Sequence, residues 1–133
     1  MTWVDGPPSV LIVEDDADIR DALAEILRDE GYEVVGAGHG QDALTHLRGG
    51  GRPALILLDL MMPVMNGWQF REAQVADATL AAIPVVVISA DGAAAREAVH
   101  IGADAFLQKP IELEELLVTV ARYCPAPLLP AAR

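Results

Sequence analysis

The chain has 133 residues, enough for one domain with its own core and too few for two. Nine basic against twenty acidic residues leave a net charge of −11, which repels a phosphate backbone and argues against direct nucleic-acid binding. Cys124 is the single cysteine, so a disulfide framework is excluded; no apolar run reaches the length of a membrane span, and MTWVDGPPS lacks the parts of a signal peptide, so a soluble protein of the reducing cytoplasm is expected.

The first eight residues, with Gly6, Pro7 and Pro8, read as an irregular arm (1–8), ahead of a domain over 9–124 and a proline-broken tail over 125–133. VLIV (Val10 to Val13) is a β-branched run, the first buried strand, and Glu14, Asp15 and Asp16 follow it directly. From Ala17 to Glu30 the residues Ile19, Ala22, Leu23, Ile26 and Leu27 recur at helical spacing, and Gly31 stands where a left-handed residue closes a helix. EVVG (Glu33 to Gly36) is a second strand, a brief helix covers Gln41 to Arg48, and GGGRP is a flexible connector.

ALILLDLMMPVMNG, Ala54 to Gly67, is the stretch around which the chain is organised. It is a continuously apolar run that carries one carboxylate, Asp59, near its far end and closes in a turn. Such a run reads as a strand buried on both faces of a parallel sheet, with Asp59 at its carboxyl end. A helix over Trp68 to Ala76 follows, then a fourth strand, PVVVIS (Pro84 to Ser89), a helix over Ala93 to Ile101 closed by Gly102, and a fifth strand, Ala105 to Gln108, ending at Lys109-Pro110. The last helix spans Glu112 to Tyr123, with Leu113, Leu116, Leu117 and Val120 on its buried face. Five strands alternating with five helices predict a doubly wound α/β domain, a five-stranded parallel sheet in the flavodoxin-like order 2-1-3-4-5.

In that topology Glu14 and Asp15 follow the first strand, Asp59 the third, Ser89 the fourth and Lys109 the fifth, all at one edge, where open parallel sheets bind ligands. Each has an ordinary explanation alone: Asp15 or Asp16 as helix N-cap, Ser89 as turn residue, Lys109 as a solvated strand end. Four strand ends supplying compatible groups to one crevice are harder to explain so. Lys109 is also the only lysine, the other eight basic residues being arginine, and a compact ammonium serves where a planar guanidinium would not fit. Close carboxylates repel by about 4 kcal/mol per pair at an effective dielectric near 20, so a cation must offset them. Lys109 or a divalent ion could do so, and an oxygen-only donor set favours Mg²⁺ or Mn²⁺. A carboxylate beside such an ion, faced by a hydroxyl and an ammonium, can attack phosphorus in line to give an aspartyl phosphate. His39, His46 and His100 lie on separate elements without ligand spacing and read as surface residues.

VLIVEDD, LLDLMMPVMNG, VVVISA and FLQKP together resemble the receiver domain of two-component response regulators, over nearly the whole chain from Ser9 to Cys124. The resemblance implies that Asp59 is the phosphoacceptor, charged from the phosphohistidine of a histidine kinase or phosphotransfer protein. It further implies that Glu14, Asp15, Asp59 and the Met61 backbone carbonyl bind Mg²⁺, and that Ser89 and Lys109 hold the phosphoryl group. Ser89 and Phe106 would form the switch, Met61 and Asp91 would tune phosphate lifetime, and Lys109-Pro110 would be cis. Phe106 stands where many members have Tyr, so no phenolic hydrogen bond can carry the signal. Glu14 stands for the commoner Asp, and its longer arm would reach the metal through water.

The expected function is a stand-alone phosphoacceptor switch, monomer or weak dimer, that is no enzyme beyond its own phosphorylation and dephosphorylation. Its readout is expected on the face of the fourth helix, fifth strand and fifth helix, toward a downstream protein. One alternative is a pseudo-receiver, a phosphorylation-independent interaction module, which the complete acid, Ser and Lys set argues against. Another is a dehalogenase-like phosphatase, which needs a second Asp where Met61 stands.

Overall fold

In the computed structural model the residues described are 8–90, 92 and 94–124. The expected arm (except Pro8), the tail over 125–133, Asp91 and the expected first residue of the fourth helix, Ala93, lie outside them.

Ten elements alternate along the chain: β1 Ser9–Val13, α1 Ala17–Asp29, β2 Glu33–Ala37, α2 Gly40–Arg48, β3 Leu55–Asp59, α3 Gly67–Ala76, β4 Val85–Ser89, α4 Ala94–His100, β5 Ala105–Gln108 and α5 Leu113–Tyr123. The strands form one sheet in the order β2-β1-β3-β4-β5, and every pairing is parallel. The expected order is therefore found, with boundaries within a residue or two of those read from hydrophobic pattern.

All residues of β3 and β4 are buried, as a central parallel sheet covered on both faces requires. Side-chain alternation divides the core between those faces. Val10 and Ile12, Leu55 and Leu57, and Val86 and Ile88 pack with Leu23 and Leu27 of α1 and Leu116 and Val120 of α5. Leu11, Val13, Ile56 and Leu58 pack on the opposite side with Ala43, Leu44 and Leu47 of α2 and Phe70 of α3. A smaller cluster of Leu60, Val87 and Ala98 seats α4, with Trp68 packed against it. Each fully buried Leu, Ile or Val contributes about 1.5–3 kcal/mol, so the two faces supply most of the driving force.

Helix ends follow their local chemistry. Asp16 caps α1, its carboxylate accepting from the N–H groups of Asp18 and Ile19. Asn66 and Gln69 form a capping box at α3. Gly31 and Gly102, at φ 97° and 71°, close α1 and α4 in the left-handed region. One expectation fails: Leu113 is 55% exposed rather than on the buried face of α5. It occupies the first turn, before α5 meets the sheet; Leu116 and Val120 fill the contact instead.

Candidate functional site

The alternation that sends Val10 and Ile12, and Leu55 and Leu57, to the α1/α5 face carries Glu14 and Asp59 to the same side, one step further along their strands. There, carboxylate oxygens of Glu14, Asp15 and Asp59 lie within 4.8 Å of one another. Glu14 and Asp59 are buried, at 0% and 4% exposure, whereas Asp15 is open to solvent. Lys109, just past β5, faces them with Nζ 2.6 Å from Glu14 Oε1 and 3.7 Å from Asp59 Oδ2. Its peptide bond to Pro110 is cis, as expected.

Backbone hydrogen bonds hold these ends together. The Lys109 N–H donates to the Ser89 carbonyl at 2.8 Å, and the Glu14 N–H to the Ala37 carbonyl at 3.0 Å. Glu14 Oε2 accepts from the Asp16 N–H at 3.1 Å, and Asp59 Oδ1 from the Met61 N–H at 3.3 Å. After β3 the chain turns back at once, the Gly67 N–H donating to the Leu60 carbonyl at 3.0 Å. A Cβ at residue 67 would stand 2.7 Å from both the Asp59 carbonyl oxygen and Leu60 Cα. Only glycine lets α3 begin so close to Asp59.

Ser89 ends β4 at 3% exposure, one residue past Ile88, which is the register partner of Asp59. The Met61 side chain is 68% exposed. Phe106 lies on β5 opposite Val87, 44% exposed, in a groove shared with Val99 and Val118. The structure thus brings Glu14, Asp15, Asp59 and Lys109 together, with Ser89 and Met61 beside them, and sets Phe106 apart. Asp91 is outside the described residues.

Electrostatics follow from burial and crowding. Burial, then the charge and hydrogen bonding of Glu14, raise the Asp59 carboxyl to about 7, while Lys109 and the Met61 N–H pull it back only in part. Burial alone would lower the Lys109 ammonium, yet pairing with Glu14 and the charges of Asp59, Glu14 and Asp15 outweigh it, and its pKa is raised. Three carboxylates share one ammonium, so the cluster remains short of positive charge. An all-oxygen donor set with excess negative charge fits a hard divalent cation, which Glu14, Asp15 and Asp59 would hold.

Sequence reasoning missed several contacts. His39, read as a plain surface residue, is the N-cap of α2, with Nδ1 accepting from the Asp42 N–H at 3.3 Å. Trp68 Nε1 donates to Glu97 Oε1 at 2.8 Å, tying α3 to α4. Arg20 donates to the Glu14 carbonyl at 2.7 Å. A histidine before a helix with a polar residue three positions on is a faint capping signal; the other two contacts join residues with no mutual pattern in the sequence.

Comparison with known proteins agrees with this architecture. Residues 10–121 match the model of the response regulator receiver domain family. The chain is 37% identical over 113 residues to the DNA-binding response regulator MtrA of Mycobacterium tuberculosis, covering 84% of this chain and 48% of that protein. It is 38% identical over 117 residues to the transcriptional regulatory protein PdtaR of the same organism, covering 86% and 55%. The chain therefore spans about half the length of these curated relatives. Among solved structures, the chemotaxis response regulator CheY4 of Vibrio cholerae superposes with a TM-score of 0.80 at 32% identity, covering 88% of this chain and 98% of that one. A response regulator receiver protein from Pseudomonas putida gives 0.80 at 33%, covering 90% and 99%. With its parallel sheet in the order β2-β1-β3-β4-β5 and an acidic cluster compatible with Mg²⁺ at the strand ends, this chain belongs to the receiver domains of two-component response regulators.

Proposed function

We propose that this receiver domain is a phosphoacceptor switch that takes a phosphoryl group onto Asp59 from the phosphohistidine of a histidine kinase or phosphotransfer protein. The observation that carries the reading is the position of Asp59: a 4%-exposed carboxylate at the end of β3, within 4.8 Å of the oxygens of Glu14 and Asp15 and 3.7 Å from the Lys109 ammonium. In the transfer, an Asp59 carboxylate oxygen forms the new O–P bond as the N–P bond of the phosphohistidine breaks and the imidazole leaves with the electron pair. Lys109 and the Ser89 hydroxyl neutralise and orient the phosphoryl oxygens. A bound Mg²⁺, or Mn²⁺ on the same donors, supplies charge neutralisation for the incoming phosphoryl group and for the ionised Asp59. Glu14, Asp15 and the Met61 carbonyl are its proposed protein ligands beside Asp59.

The unit that switches is the segment from Ser9 to Cys124, acting in the cytoplasm as a monomer or weak dimer and turning over nothing but its own phosphoryl group. Ser89 and Phe106 transmit the change to the face formed by α4, β5 and α5, where Val99 (81%), Phe106 and Val118 (56%) are exposed. That apolar surface suits a protein partner. The names of MtrA and PdtaR refer to DNA binding and transcription by proteins about twice as long, and the net charge of −11 here does not favour direct DNA contact.

The test is intact mass after incubation with a small phosphodonor and Mg²⁺. One added phosphoryl group is expected, lost in Asp59→Asn and when the metal is chelated. No gain, or an equal gain in Asp59→Asn, would overturn the reading.

A further inference from the structure

We propose that Arg20, one turn into α1 and outside the acidic cluster, is a positioning residue that sets the cluster's affinity for a divalent cation by fixing the Glu14–Asp15 peptide. The inference rests on the proposed Mg²⁺ site. Arg20 Nη1 donates to the Glu14 carbonyl at 2.7 Å, a short charge-assisted bond. Every polar group of Glu14 is then held: its N–H by Ala37, its carbonyl by Arg20, its Oε2 by the Asp16 N–H and its Oε1 by the Lys109 ammonium. Asp15 has no comparable support. No side-chain hydrogen bond holds its carboxylate among the described residues, so the peptide on its N-terminal side, whose carbonyl Arg20 grips, decides where that carboxylate stands.

The chain makes room for this grip. The stem of Arg20 lies across β2, where a Cβ at residue 36 would stand 3.0 Å from Arg20 Cδ and 3.3 Å from Cγ; at residue 38 it would stand 3.7 Å from Nη1. Both positions are glycine. Gly36 does not adopt a left-handed conformation, so its value here is space. An alanine there would crowd the guanidinium off the Glu14 carbonyl while leaving the acids untouched.

Two effects of Arg20 oppose each other. Its charge disfavours a nearby cation, whereas its hydrogen bond preorganises two of the three acids. The carbonyl bond is short and directed, whereas the guanidinium charge is half-exposed, partly screened by water and delocalised over the whole group, so positioning dominates. Removing an outer partner of a metal ligand typically weakens metal binding by about 10–100-fold.

Calorimetric titration of the full chain with Mg²⁺, repeated with Mn²⁺, tests this. Arg20→Ala should raise the dissociation constant about tenfold. Arg20→Lys, which keeps the charge and one donor, should recover part of the loss. Gly36→Ala should weaken binding in the wild-type background and have no further effect in Arg20→Ala. With Mg²⁺ raised to saturation, Arg20→Ala should regain wild-type phosphorylation from a small phosphodonor, because Arg20 does not touch the reacting atoms. Unchanged or tighter Mg²⁺ binding in Arg20→Ala would overturn the inference and leave the phosphoacceptor reading standing. A wild-type chain that binds Mg²⁺ but is not phosphorylated would overturn that reading alone, and one that binds neither ion would overturn both. Circular dichroism in chelator establishes that each variant is folded, and if Arg20→Ala is not, Gly36→Ala decides.

Discussion

Asp59 is costly to keep ionised in the absence of a bound cation. Its carboxyl is raised to about 7 in the folded protein by burial and by Glu14, against an ordinary value of 3.8. Between those values the unfolded chain releases the proton while the folded protein retains it, so rising pH favours unfolding through this group. The stabilising contribution is complete below about pH 4 and lost by about pH 7. Asp59→Asn lacks this titration. In chelator its stability advantage over wild type should be absent near pH 4 and grow to about 2 kcal/mol by pH 7.5, about half of what the full shift would carry, because Asp15 opens one side of the cluster to water. Denaturant unfolding at several pH values measures this, and an advantage that did not change with pH would contradict it. The apolar side chain of Met61, whose N–H donates to Asp59 Oδ1, should hinder the hydrolytic water. Exchange for Asn should speed loss of the phosphoryl group several-fold, read as the decay of phosphorylated protein by intact mass. The site acids, Ser89 and Lys109 were legible because each stands at or just past the end of an apolar run, a signal local in sequence. Arg20 was not, because its target is a backbone carbonyl and backbone carbonyls leave no mark in a sequence.

Strand–helix connections carry the local strain. Val64, in the loop between β3 and α3, has φ 67°, a left-handed conformation that crowds a β-branched side chain. It is 77% exposed, so little packing compensates. Val64→Gly should stabilise the protein by about 1 kcal/mol in thermal or denaturant unfolding, the relieved strain exceeding the entropy gained by the unfolded chain. At Gly67 the opposite holds. Alanine would drive its Cβ into the Asp59 carbonyl and Leu60 Cα, both backbone atoms that cannot rotate away, and Gly67→Ala should cost about 3 kcal/mol or more in the same assay. Element types were readable throughout, since short, continuously apolar runs such as PVVVIS differ plainly from the helical spacing of Ile19, Ala22, Leu23, Ile26 and Leu27. Element ends were less so. Leu113 continues the apolar stripe of α5 and was expected inside, but where α5 first meets the sheet depends on the path of the turn at Pro110, which periodicity does not encode.

At the scale of the whole molecule, the strand order was legible because alternating β and α units with short loops leave few right-handed arrangements. What joins the first half to the last was not. The hydroxyl of Tyr32, the residue before β2, donates to the Cys124 carbonyl at 2.9 Å, closing the end of α5 onto the β2 side of the sheet across 92 residues of chain. Burial raises the Tyr32 phenol, with smaller contributions from Cys124 and Glu30, so it remains a donor well above neutral pH. Burial also pushes the Cys124 thiol up to about 11, and the residue is 0% exposed, so a thiol reagent at pH 8 meets neither access nor thiolate in the folded state. Labelling must then proceed through an opening that detaches the end of α5, and its rate measures the population of that opened state. Tyr32→Phe deletes one buried hydrogen bond, costs about 1 kcal/mol, and should speed labelling about fivefold if that opening is global. Mg²⁺ should slow labelling of wild type and Tyr32→Phe by the same factor, since a ligand that binds only the folded state lowers every globally opened population alike. Labelling of wild type as fast as a free thiol would mean that α5 frays independently of the sheet, and that the Tyr32–Cys124 bond does not couple the two ends of the chain.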